Sequence, residues 1–159
     1  MENVKENHAY DWDGTIEVKG RTEVLPEGTY KFIVRDVINH QYTGGEKLPP
    51  CRFAEILMDV LYDDEEVTIS QRFYLVNSFA RKITSFYTSI GEGPVNGKLK
   101  MHWDDLNGKV GLAKFSPTTG KDGNTQFNNV SEWIPYDSSE IEKYGKFQDE
   151  KNEDDELPF

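Results

Sequence analysis

The stretch VTISQRFYLVNSFARKITSFYTSIG, residues 67–91, decides the fold. Its first ten residues, Val67 to Val76, alternate in character. Thr68, Ser70, Arg72 and Tyr74 take one side, and Val67, Ile69, Phe73 and Leu75 mostly take the other. That period of two predicts a half-buried strand. The pattern then changes. Phe79, Ile83, Phe86, Tyr87 and Ile90 recur at the spacing of one helix face, Asn77 stands where an N-cap is expected, and Gly91 stands where a helix ends.

Working outward from this junction, the preceding segments read as two more strands. Thr29 to Ile38 is rich in β-branched and aromatic residues and follows the turn signal Leu25-Pro26-Glu27-Gly28. Asn39 to Pro50, with Gly44-Gly45 and Pro49-Pro50, reads as a long loop. In the next strand, Arg52 to Tyr62, the residues Ala54, Ile56, Met58, Val60 and Tyr62 share one side. Asp63 to Glu66 reads as a charged turn. Beyond the helix, 92–107 is irregular, Lys109 to Phe115 is a fourth strand and Gln126 to Ile134 a fifth. Asp122-Gly123 marks a hairpin turn between those last two.

Three strands, a helix and two strands is the element order of an OB-fold, a mainly β, five-stranded barrel with the helix plugging one end. The expected organisation is an N-terminal arm over 1–24, with a short strand near 15–19, the OB-fold domain over 25–136, and a disordered acidic tail over 137–159.

Charge constrains the partners. The formal net charge is −11. Residues 137–159 carry −6 of it and residues 1–136 carry −5. A polyanion would therefore have to be held by a local basic face and by base stacking, with a weak dependence on salt. Cys51 is the single cysteine, so no disulfide forms within the chain. No apolar run approaches membrane-spanning length and no signal-peptide core is present, so a bacterial cytoplasm is expected, with no membrane partner.

A sequence-tolerant binder of unpaired bases needs rings interleaved with Lys or Arg. In OB-folds these lie on the second and third strands and on the loops joining strands one to two and four to five. The candidates on the strands are Arg52, Phe53, Arg72 and Tyr74, with Lys31 and Arg35 sharing a face of the first strand. Tyr42 and Lys47, beside His40, come from the first loop, and Lys114 and Lys121, beside Phe115, from the last hairpin. Other readings stay open. Phe53 also suits the core, Tyr74 a cross-strand pair, and Arg72 an ion pair with Glu55 or Asp59. The helix stripe, Trp103 and Trp133 read as packing residues.

No phosphate-binding glycine loop, nucleophile elbow or zinc-ligand spacing occurs, so no catalytic residue, metal or cofactor is expected. Asp104-Asp105 is at most half of a metal-dependent nuclease site.

The chain ends Asp154-Asp155-Glu156-Leu157-Pro158-Phe159. Such an end can place a ring in an apolar pocket, pair its carboxylate with an Arg, and set acids against a basic rim, with Pro158 limiting the entropy lost. It resembles the C-terminal tip of bacterial single-stranded DNA-binding proteins, where acids precede Ile-Pro-Phe. Here Leu157 replaces the Ile and Glu156 an Asp. The resemblance implies recruitment of replication, recombination and repair proteins.

The body carries Leu25-Pro26-Glu27-Gly28-Thr29-Tyr30, Phe86-Tyr87-Thr88-Ser89-Ile90-Gly91, Trp103-Asp104-Asp105-Leu106-Asn107-Gly108-Lys109-Val110-Gly111 and Asn128-Asn129-Val130. In order and spacing, over about residues 10–135, these pieces resemble a family of phage proteins from Gram-positive hosts suspected of binding single-stranded DNA. The expectation is a non-enzymatic single-stranded DNA-binding protein, with a homo-oligomer as one arrangement. The alternatives are an acidic adaptor or DNA mimic that binds DNA-processing enzymes, and a nuclease using Asp104 or Asp105.

Overall fold

A computed structural model describes residues 9, 11–14 and 24–147. The expected strand near 15–19 and the terminal Asp154–Phe159 tip lie outside the described residues. The elements are β1 (Gly28–Tyr42), β2 (Cys51–Tyr62), β3 (Glu65–Tyr74), a 3₁₀ turn (Asn77–Phe79), α1 (Ala80–Ser89), and a second 3₁₀ turn (Trp103–Asp105). They continue with β4 (Val110–Phe115), β5 (Thr118–Thr119), β6 (Gln126–Phe127), β7 (Val130–Ile134) and α2 (Ser138–Glu142). None of these helices is long and apolar enough to cross a membrane.

The main sheet is antiparallel, with five strands in the order β3-β2-β1-β4-β7. β1 is the shared strand. Its first part, Gly28 to Ile33, pairs with β4, and Phe32 to Tyr42 pairs with β2. A bulge at Arg35 separates Val34 from Asp36 in the β2 register. An extra residue bends a strand and increases its twist. The sheet therefore coils, and its edge strands come to face each other across α1. Phe73 of β3 and Trp133 of β7 lie 5.9 Å apart, and each ring centroid is 5.1 Å from that of Phe86.

Several expectations need correction. β3 and β7 form no ladder, so the sheet does not close into a barrel. In place of a closing ladder, the Phe73 and Trp133 side chains meet each other and Phe86. Asn39 to Tyr42 is strand, because β2 supplies its partners from Ala54 to Cys51, and the loop shrinks to 43–50. The fifth strand is interrupted. Gln126-Phe127 pairs with β5 in a small hairpin, while Val130–Ile134 joins the main sheet. Asn128 and Asn129 turn between them: Asn128 Oδ1 accepts the Leu25 amide (2.8 Å), and the Asn129 carbonyl accepts the Ser116 amide (2.8 Å).

Asn77 is not the helix cap. It opens the 3₁₀ turn, and Phe79 holds the N-cap position with no side-chain hydrogen bond. The C-terminus follows expectation. Gly91 has φ +81°, its amide donates to Thr88 O, and the Glu92 amide donates to Tyr87 O, which is a Schellman ending.

The core lies between the coiled sheet and α1. It contains Phe32, Val34, Ile56, Met58, Val60, Val67, Phe73, Phe86, Tyr87, Leu106 and Phe115. Gly111 is required there: a Cβ would sit 2.5 Å from Ser89 O and 2.9 Å from Phe32 Cζ.

The first part of the expected tail, 137–147, departs furthest from expectation. Residues 137–147 are ordered against the body rather than disordered. The Asp137 carboxylate caps α2 by accepting the Ser139 and Glu140 amides. Ile141 and Phe147 are buried. The Phe147 ring lies under two cations, with Lys31 Nζ at 5.5 Å and Arg35 Cζ at 5.6 Å. Lys31 Nζ also donates to Gly145 O at 2.7 Å. We expect Phe147→Ala to lower unfolding stability by about 3 kcal/mol, read as a lower midpoint in urea at unchanged slope. A change below ~1 kcal/mol would show that the strap contributes little.

Candidate nucleic-acid interface

The outward face of β1, β2 and β3 is set by the alternation that buries Ala54, Ile56 and Met58. Phe53 pairs in register with both His40 and Tyr74, and Glu55 with Arg72. The His40 and Phe53 rings stack at 4.7 Å, with planes 15° apart. Phe53 meets Tyr74 at 4.8 Å. Tyr74 in turn touches Tyr42 at 5.3 Å and Phe79 at 5.4 Å, both edge-on. The result is one continuous strip of five half-buried rings.

Cations flank the strip. The Arg72 guanidinium lies 5.4 Å over Phe53, and Lys82 Nζ lies 4.9 Å over Phe79. The neighbouring acids are engaged elsewhere. Asp59 accepts from Arg35 (2.8 Å) and Thr68 (2.7 Å), and Glu66 accepts from Arg35 (2.9 Å). Glu55 accepts from Ser70 (2.8 Å) and contacts His40 Nε2 (2.9 Å). The Ser70 hydroxyl and then His40 hold the Glu55 carboxyl below the usual carboxylate range. Arg72 therefore forms no ion pair with Glu55 or Asp59; it sits on a ring instead.

The structure sorts the predicted residues. It brings Tyr42, Phe53, Arg72 and Tyr74 together. Lys47 is exposed in the loop beside Tyr42, whose hydroxyl packs so closely on Gly45 that a Cβ there would lie 2.4 Å away. Lys31, only 1 % exposed, and Arg35, paired with Asp59 and Glu66, lie under the strap and away from the strip. Arg52 points to the opposite side of the sheet from Phe53, where it reaches Asn39 Oδ1 at 3.4 Å. Lys114 is half-buried in β4, in register with Glu132. Lys121 is exposed at the hairpin tip beside Asp122. Hydrogen bonds from Thr125 and Asn124 hold that carboxyl down at about 2.

Three further contributors carry little signal in the sequence alone. The sequence reads His40 as a loop residue, whereas pairing with Phe53 makes it strand. Phe79 fitted the helix spacing, but its 3₁₀ position leaves it half-exposed. Lys82 belongs to the Arg81-Lys82 pair just after Phe79, a signal that could flag these two; His40 has no such local signal, because it reaches the strip only through pairing of β1 with β2.

Asp104 and Asp105 sit in the second 3₁₀ turn, and His102 Nδ1 contacts the Asp105 carboxylate. Among the described residues, no group of three or more His, Cys, Asp or Glu side chains could hold a metal. Trp103 packs on Phe73, Phe86 and Tyr87. Its buried Nε1 has no hydrogen-bond partner among the described residues.

The Tyr87 hydroxyl accepts the His102 amide at 3.0 Å, and burial pushes this phenol up to about 12. In the unfolded chain it titrates near ~10. The folded state therefore holds the proton more tightly. This contribution is complete below pH ~10 and is lost as the pH rises through the folded value. We expect unfolding stability to fall by up to about 3 kcal/mol across that interval. Tyr87→Phe should flatten the fall in alkaline urea titrations; an equally steep fall in the variant refutes the assignment.

No protein-family model matches the chain, and no curated protein matches it. The function must be read from the residues themselves.

Proposed function

We propose that this chain binds single-stranded DNA without strong sequence preference and performs no catalysis. The observation that carries the reading is the ring strip His40-Phe53-Tyr74 with Tyr42 and Phe79, flanked by Arg72 and Lys82, on a face whose acids are already paired. Stacking contributes on the order of 1–3 kcal/mol per base and tolerates any base. Two or three bases can therefore offset an unfavourable net charge.

We read the sheet as an OB-fold whose last seam is unpaired. The strip would then lie on the strand-two and strand-three face, where OB-folds bind oligonucleotides. The loop bearing Lys47 and the hairpin bearing Lys121 correspond to the two connections that flank that face.

On this reading the protein coats exposed strands during phage or bacterial DNA replication or recombination in the host cytoplasm. The Asp154–Phe159 tip recruits replication, recombination and repair proteins. The support for the tip is its resemblance to the bacterial one.

The test is titration of the full chain into labelled oligo-dT across a salt series. Saturable binding with quenching of Tyr and Trp emission is expected. The logarithmic salt slope should be shallow, about 0.7 for each phosphate contacted. Absence of binding at low salt would end this reading in favour of an acidic adaptor or DNA mimic. That second reading is favoured by the net charge of −5 over residues 1–136.

A further inference from the structure

The open seam between β3 and β7 is itself a feature with chemistry. A cleft of about 450 Å³ runs along it and beneath the start of α1. Arg72, Arg81 and Lys82 line it on one side, and Ser131, Glu132 and Trp133 on the other. Three cations therefore face one acid in a chain whose formal net charge is −11. None of the three forms an ion pair with a described residue. Arg72, Arg81, Lys82, Ser131 and Glu132 are exposed.

The cleft is also continuous with the ring strip. Arg72 and Phe79 line it and at the same time touch Phe53 and Tyr74. β3 and β7 are the outermost strands of the sheet, so each presents an edge with no ladder partner among the described residues. Backbone amides of such edges are donors awaiting an acceptor. A groove that combines unpaired cations with free donors, and that continues a stacking surface, suits a phosphodiester backbone.

We infer that the β3–β7 cleft is a backbone-binding subsite that extends the DNA path beyond the rings. The phosphates of nucleotides leaving Phe79 run along Arg72, Lys82 and Arg81, and Glu132 opposes them. This inference rests on the proposed DNA binding but is separable from it. Strip and cleft make different predictions for oligonucleotide length.

The experiment compares oligo-dT of about 4 and about 12 nucleotides, within the range of sites seen on single OB-folds. Arg81→Ala should weaken the long oligonucleotide several-fold and reduce its logarithmic salt slope by about 0.7. Glu132→Lys should tighten the long oligonucleotide and raise the slope by a similar amount. Neither should change binding of the short one by more than about twofold. Lys98→Ala, which changes charge in a different cavity, controls for overall charge. If both cleft variants bind the long oligonucleotide as the parent does while Tyr74→Ala still weakens it, the cleft inference is overturned and the stacking reading survives. If Tyr74→Ala has no effect on either length, the stacking reading fails and the cleft falls with it.

Discussion

Tyr74→Ala is expected to weaken oligo-dT binding by about ten- to a hundredfold, the loss of one or more stacked bases at 1–3 kcal/mol each. Tyr74 is the hub of the strip and touches Phe53, Tyr42 and Phe79. Its removal also frees Phe53 and Tyr42 to turn, so the surface loses preorganisation as well as a ring. Tyr74→Phe keeps the π-face and should retain binding within about threefold. The side chain is half-buried at the end of β3, so the alanine variant should remain folded. Fluorescence anisotropy at fixed salt reads the affinity, and circular dichroism checks the fold. Unchanged affinity in a folded Tyr74→Ala protein would remove the strip as the binding surface. The salt slope distinguishes the contributions. Loss of a ring should leave it nearly unchanged, whereas loss of a phosphate contact should lower it.

The second large effect is on stability. Phe86→Ala should cost about 3–5 kcal/mol, as aromatic-to-alanine changes in closed cores do. Phe86 is fully buried on α1 and meets Phe32, Phe73, Tyr87, Trp103 and Trp133. Its ring joins the two edges of an unclosed sheet. The cavity left behind would border Phe73 and Trp133, and no backbone ladder between β3 and β7 would hold the edges in place. Chemical denaturation of the parent and variant measures the loss. A cost below ~2 kcal/mol would mean that the site collapses readily and that Phe86 is not the bridge proposed.

How much of this was legible depended on the range of the interactions. The alternation in Val67–Val76 and the spacing of Ile83, Phe86, Tyr87 and Ile90 are local signals for a strand and a helix; β3 runs from Glu65 to Tyr74, two residues earlier than expected, and α1 begins at Ala80, after a 3₁₀ turn at Asn77–Phe79. The face holding Phe53, Arg72 and Tyr74 was legible for the same reason, since strand parity alone selects it. Lys31 and Arg35 were misread. Parity placed them correctly on one face, but nothing local announced that Gly145 and Phe147 would return from more than a hundred residues away to cover it. The extent of β1 was misread because the polar run Asn39-His40-Gln41 becomes strand only through pairing with β2.

The sequence by itself determined the period of each segment, the strand parity of Phe53, Arg72 and Tyr74, and a formal net charge of −11. Those follow from backbone geometry and composition, which act over a few residues. Tertiary structure alone decided that the rings touch, that the nearby acids are paired with Arg35, His40 and hydroxyl groups, and that the sheet stays open between β3 and β7. These depend on contacts between residues distant in the chain, where packing around Phe86 and the bulge at Arg35 set which side chains meet.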